Sequence, residues 1–141
     1  MPYLSVCKSF EFAYAHRLPE YDGKCLRNHG HTGRIEVEVD GEYRNTYPSM
    51  VCDFYDLQSH VQPIIDKMDH KDLYDVLNET DLPENAGVRP LRRTEGKCIF
   101  PPTSENMVMW FKAQLEQAWP EVSIVRIRWW ESSSSYAEWR R

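Results

Sequence analysis

No run of apolar residues in this chain approaches the roughly 18 needed to cross a bilayer as a helix, which argues against a membrane protein. The opening segment, MPYLSVCKSFEF, lacks the apolar stretch of a secretory signal, so a cytoplasmic location is expected. Cysteine is sparse. Cys7, Cys25, Cys52 and Cys98 are scattered and form no CxxC, a pattern of free thiols rather than of a disulfide framework. Excess positive charge is missing too: the net charge is −5, which weighs against a nucleic-acid partner. There are no internal repeats, and four serines at 132–135 are the only low-complexity stretch. What remains is ordinary for a globular enzyme or binding module. The chain has 141 residues, 41% hydrophobic and 28% charged, enough for one domain with a real core.

The hydrophobic pattern places the elements. Residues 4–16 read as a strand, with Phe10, Phe12, Tyr14 and His16 on one parity. Residues 31–43 read as a second, with Ile35, Val37 and Val39 facing one way and Glu36, Glu38 and Asp40 the other. Met50–Phe54 reads as a short extended piece. Leu57, Val61, Ile65 and Met68 make the stripe of a helix over 56–68, which Pro63 should kink or shift. A long polar loop is expected over 78–97, with Pro83, Gly87, Pro90 and Gly96. A second helix should begin near Thr103, capped by Thr103 or Ser104 and ended by Pro120, with Met107, Trp110, Phe111, Leu115 and Ala118 on its apolar face. A last strand over 122–131 would turn Val125, Ile127 and Trp129 inward. The order implies an α+β fold: an antiparallel sheet with two helices packed on one face.

Chemistry concentrates in AHRLPEYDGKCLRNHGH, which holds His16, Cys25, His29 and His31. Imidazole and thiolate are the ligands zinc prefers. In a strand, residues i and i+2 point to one face, so HGH at a strand start aims His29 and His31 at one point. Gly30 between them removes a side chain that would crowd the metal. An antiparallel hairpin joined through residues 17–28 would bring His16 to the same place. Four ligands including Cys25 make a closed structural site; three histidines with an open position make a catalytic one. Spacing alone supports both.

Three further features frame this choice. Asp69-His70 reads either as a helix-end histidine favoured by the local dipole or as a base oriented by a carboxylate, close enough to Cys25 to tune its protonation. Glu131 ends the last strand on its inward parity. There it is either already in solvent or a carboxylate that accepts two parallel N–H donors, such as a 2-aminopyrimidinone edge. Pro102-Thr103-Ser104-Glu105 is a helix start whose free N–H groups suit a polar ring edge.

Taken in order, FAYAHRL, CLRNHGH, MVCDF, MDHKDL, PTSEN and WWE resemble the 6-pyruvoyl-tetrahydropterin synthase family over nearly the whole chain. They are most similar to its bacterial 6-carboxy-5,6,7,8-tetrahydropterin synthase branch, which shares the three-residue gap between Cys25 and HGH. The resemblance implies the tunnelling fold as a single domain over 1–141. In that fold, sheets join into a barrel on oligomerisation, commonly in a homo-hexamer built as a dimer of trimers. It implies zinc on His16, His29 and His31, and 7,8-dihydroneopterin triphosphate as substrate. Cys25 would accept the proton, assisted by Asp69 and His70. Glu131 would anchor the pterin, in a pocket lined by Thr103, Ser104 and Glu105. Arg27, Arg92, Arg93 and Lys97 are candidate cations for the triphosphate. The implied products are 6-carboxy-5,6,7,8-tetrahydropterin, acetaldehyde and triphosphate, a step towards queuosine and other 7-deazapurines. The alternatives are a pyruvoyl-forming synthase, or a non-catalytic zinc-stabilised module with Cys25 as fourth ligand. Because Asp69-His70 and Glu131 give Cys25 another task, the histidines are assigned to the metal and the cysteine to proton transfer.

Overall fold

Two long strands pair over their whole length and set the frame on which everything else is placed. In the computed structural model, which describes residues 2–19, 23–43, 46–80, 82, 86–92 and 98–141, β1 (Tyr3–His16) runs antiparallel to β2 (His29–Glu42). Their register is unbroken from Tyr3 opposite Glu42 to His16 opposite His29. β6 (Ile124–Ser132) adds to the other side of β2, and β7 (Ser135–Arg140) adds to β6. A two-residue strand, β3 (Lys71–Asp72), lies parallel to β1 at Tyr14 and Ala15 only. The sheet order is therefore β3-β1-β2-β6-β7, mostly antiparallel and open at both edges. A separate pair, β4 (Leu91–Arg92) and β5 (Cys98–Ile99), precedes the last helix.

The helices cover one face of this sheet. α1 (Phe54–Asp66) begins at Asp53, whose carboxylate accepts from the Tyr55 N–H at 2.8 Å. It continues through Pro63 and ends three residues later. Met68, just past its end, still reaches the core. α3 (Ser104–Ala118) begins at Thr103, whose hydroxyl accepts from the Asn106 N–H. Between them the structure adds a helix that the periodicity reading missed. α2 (Leu73–Glu79) is two turns long, capped by Asp72 on the Tyr74 N–H, with Leu73 and Leu77 fully buried. Three helices, not two, therefore pack on the sheet. The segment expected as a loop over 78–97 starts inside α2, and its later described part forms β4. Arg93 and Lys97 lie outside the described residues.

The core joins Phe10, Phe12 and Tyr14 of β1, Ile35, Val37 and Val39 of β2, and Ile127 and Trp129 of β6 to all three helices. One expected core residue changes place. The β2–β6 pairing shifts by a residue at Glu38/Val39, so Ile124 rather than Val125 sits opposite Val39 and is buried. In α3, Ala118 is exposed and Ala113 is buried in its stead. The opposite face of the sheet is charged and interlocked. Arg126 Nε lies 2.7 Å from Glu38, Arg128 Nε lies 2.6 Å from Glu138, and Glu36 is within 3.6–3.7 Å of both guanidinium groups.

Candidate metal centre and adjoining pocket

The β1–β2 register puts three imidazoles together where the hairpin opens. His16 faces His29, and Tyr14 faces His31. Paired residues of an antiparallel sheet share a face, so all three rings lie on the helix-covered side. The ring centroids of His16, His29 and His31 are 4.6–4.9 Å apart, and one nitrogen from each falls within 4.8 Å of the other two.

Each ring's orientation has a cause. The Pro102 carbonyl lies 2.9 Å from His16 Nδ1, and the Arg27 carbonyl lies 2.7 Å from His29 Nδ1. A carbonyl only accepts, so each Nδ1 carries the proton and donates it, which leaves Nε2 as a lone pair. His16 is only 3% exposed, yet its Nε2 has no hydrogen-bond partner, and neither has the buried Nε2 of His31. Buried polar atoms are ordinarily satisfied. Two orphaned imidazole nitrogens converging with a third fit a divalent metal with nitrogen preference. Burial lowers the affinity of His16 and His31 for protons, against the opposing pull of Glu131, and so favours the neutral, ligating form.

The packing around the cluster is aromatic. The Tyr14 ring lies 5.4 Å from the rings of both His16 and His31, and its hydroxyl accepts from Trp129 Nε1 at 3.3 Å. Burial raises the Tyr14 phenol well above its ordinary value. Gly33 makes room for this ring: a Cβ there would come within 2.7 Å of Tyr14 Cε1. At Gly30, a Cβ would meet only the Tyr14 carbonyl oxygen, at 3.6 Å. Gly30 alternates with the histidines and faces away from them, so the expectation that it relieves crowding at the metal is corrected. The glycine this site requires is Gly33.

A cavity of about 270 Å³ opens beside His16. Cys25 lines it from a one-turn 3-10 helix, Lys24–Leu26, whose Cys25 carbonyl accepts from the Leu18 N–H at 2.6 Å. Thr103, Ser104 and Glu105 line it from the start of α3, and Glu131 from the end of β6. Ser104 Oγ donates to Glu131 Oε2 at 2.7 Å, and Glu131 Oε1 lies 3.4 Å from His31 Nε2. The β6–β7 pairing is irregular between Trp130 and Ser132, that is, at Glu131 itself. Such irregularities re-aim side chains. β7, missed from the sequence, contributes Ser135, Tyr136 and Ala137 to the cavity wall. The alternation of Tyr136, Glu138 and Arg140 with Ala137 and Trp139 was the signal for it.

Asp69 and His70 are together but elsewhere. Asp69 Oδ1 accepts from the Ala13 N–H at 3.0 Å, and the His70 N–H donates to the Ala13 carbonyl at 2.6 Å. These bonds dock the pair on the outer edge of β1. His70 has φ 60°, the left-handed region, and its Nδ1 lies 3.0 Å from Asp69 Oδ1. The bond from Ala13 is the main reason the Asp69 carboxyl stays below its usual range. The His70 side chain is 81% exposed, and neither residue lines the Cys25 cavity. Arg27 is exposed and also absent from the cavity wall; its carbonyl orients the His29 ring.

The family model for 6-pyruvoyl tetrahydropterin synthase matches residues 5–141. The 6-carboxy-5,6,7,8-tetrahydropterin synthase of Haemophilus influenzae is 35% identical over 138 residues, covering 96% of this chain and 97% of its own. The enzyme of that name from Synechocystis is 34% identical over 117 residues, covering 80% and 75%. Among solved structures, the 6-pyruvoyl tetrahydropterin synthase of Caenorhabditis elegans superposes with a TM-score of 0.76 at 22% identity, covering 100% of this chain and 97% of that one. A match this long, on a fold this similar, establishes that the chain belongs to the 6-pyruvoyl tetrahydropterin synthase family.

Proposed function

We propose that this enzyme converts 7,8-dihydroneopterin triphosphate to 6-carboxy-5,6,7,8-tetrahydropterin, acetaldehyde and triphosphate, in the cytoplasm, on the route to queuosine and related 7-deazapurines. The observation that carries the reading is a single cavity that joins Cys25 and the Ser104–Glu131 pair to His16 of the three-histidine cluster. The identity to relatives named for this activity supports it.

His16, His29 and His31 would hold zinc, which supplies Lewis acidity towards a side-chain hydroxyl and the C–H beside it. Glu131 would accept two N–H donors of the pterin ring, held in place by Ser104. Thr103 and Glu105, at the same helix start, would border the ring. Cys25 would take the proton from the substrate side chain as a thiolate. The metal-competent group among the described residues comprises three histidines without Cys25, which favours a catalytic role for the thiol over a closed, purely structural metal site.

Asp69-His70 would assist Cys25 from a second copy. The pair is exposed on the β1 edge, and the outer side of β1 has no strand partner from Tyr3 to Phe12 among the described residues. Pairing of open edges between copies, as in a hexamer built as a dimer of trimers, would close the sheets into a barrel. It would also carry Asp69-His70 to a neighbour's cavity. Arg27, Arg92, Arg93 and Lys97 remain the proposed triphosphate contacts.

The test is direct. Incubation with 7,8-dihydroneopterin triphosphate should release acetaldehyde and triphosphate in equal amounts. Triphosphate release with a pyruvoyl product and no acetaldehyde would replace this reading with the pyruvoyl synthase.

A further inference from the structure

Three consecutive carbonyls before α3 are each taken by a side chain from a different element. The Phe100 carbonyl accepts from Asn78 Nδ2 of α2 at 2.9 Å. The Pro101 carbonyl accepts from Asn106 Nδ2 of α3 at 2.9 Å. The Pro102 carbonyl accepts from His16 Nδ1 of β1 at 2.9 Å. Pro101 and Pro102 have no N–H, so this segment cannot be held by a strand ladder. Its position is set through its three carbonyls and the Phe100 N–H.

The two asparagines are built for that task. Asn78 also donates to the Tyr74 carbonyl and accepts from the Phe100 N–H at 2.8 Å. Asn106 is buried, donates to the Arg89 carbonyl as well, and accepts from the Arg89 N–H at 2.9 Å. Each amide therefore uses both donors and its oxygen. No other side chain of that size offers the same set: aspartate lacks the donors, and leucine lacks both kinds of group.

We infer that Asn78 and Asn106 are positioning residues for the three-histidine cluster, acting through Phe100-Pro101-Pro102 to place the carbonyl that fixes the His16 tautomer and ring direction. The inference rests on the metal reading given above. Partners of this kind, one bond behind a ligating histidine, typically change metal affinity by about 10- to 100-fold. The asparagines stand a step further back, so about tenfold is expected.

The experiment compares wild type, Asn106→Ala, Asn78→Ala and, as a control of general loosening, Val61→Ala in the buried face of α1. Zinc affinity is read by competition with a chromophoric chelator, and the His16 tautomer by nitrogen NMR of the histidine rings without metal. In wild type, His16 should be a single Nδ1–H tautomer. Each asparagine variant should show tautomer averaging and about tenfold weaker zinc binding, while Val61→Ala lowers the melting temperature and changes neither readout. An unchanged His16 signal and affinity in either folded asparagine variant would overturn the inference, as would an equal loss in Val61→Ala. If Asn106→Ala does not fold, Asn78→Ala and the milder Asn78→Ser carry the test. If wild type binds no zinc, the metal reading fails, and the metal-free tautomer comparison still decides the role of the asparagines.

Discussion

Cys25 is the residue on which the enzyme and the metal-module readings divide. As the proton acceptor, it can be lost without loss of the metal. Cys25→Ala should therefore keep one zinc per chain and its melting temperature, while turnover falls by about 10²- to 10⁴-fold. A parallel loss of zinc, measured by metal analysis after dialysis, would make the thiol a ligand instead. Gly33 yields a second prediction. An alanine there meets the buried Tyr14 ring and, at 3.3 Å, the Trp130 carbonyl. Urea unfolding should show a loss of about 1–3 kcal/mol for Gly33→Ala, against about 0.5 kcal/mol or less for Gly30→Ala. The convergence of the three histidines was readable at this scale because HGH, at a period of two, announces a shared face. The role of Gly33 was not, because it depends on a ring that the chain brings in from another strand.

At the scale of elements, the charged face of the sheet behaves as a unit. The Glu38 carboxyl is held below its usual range first by the Ser5 hydroxyl at 2.6 Å and then by Arg126, against the opposing effect of burial. The Glu138 carboxyl is held low chiefly by Arg128. A carboxylate whose folded value is depressed stabilises the fold fully above its unfolded value, near about 4.3. That stabilisation is lost as pH falls through the folded value. Glu38→Gln should therefore shrink the drop in melting temperature between pH 5 and pH 3, roughly where such carboxylates titrate. High salt should narrow the difference from wild type. An unchanged acid profile would mean that the ladder contributes nothing through Glu38. The same scale explains what the sequence left unseen. β1, β2 and α3 are long, so their alternation or helical stripe accumulates over many residues. α2 offers only Asp72 as cap and the Leu73/Leu77 spacing. β7 follows a serine run that reads as a loop. The Val125 to Ile124 exchange follows from a bulge, which shifts parity without leaving a mark in composition.

At the scale of the molecule, one chain contains the three-histidine cluster, Cys25 and Glu131 in one place, and Asp69-His70 in another. If a second copy completes the site, two inactive variants should repair each other. Cys25→Ala and His70→Ala, each nearly inactive alone, should regain about one quarter of wild-type turnover when refolded as an equal mixture. That is the statistical share of sites drawing both intact groups from different chains of a symmetric assembly. No recovery, in a mixture shown by light scattering to be assembled, would place both groups in the service of separate sites.

The unbroken β1–β2 pairing has a consequence for quality control of the folded chain. A slip of one residue would turn every β1 side chain to the other face, burying Ala15 where His16 belongs. A slip of two would restore the face, yet set His16 opposite residue 31 or 27 instead of His29. A slip of one residue scatters the three imidazoles, and so does a slip of two that sets His16 opposite residue 27. A chain slipped by two towards residue 27 would still bury the same face of β1, and metal content would expose it where circular dichroism would not.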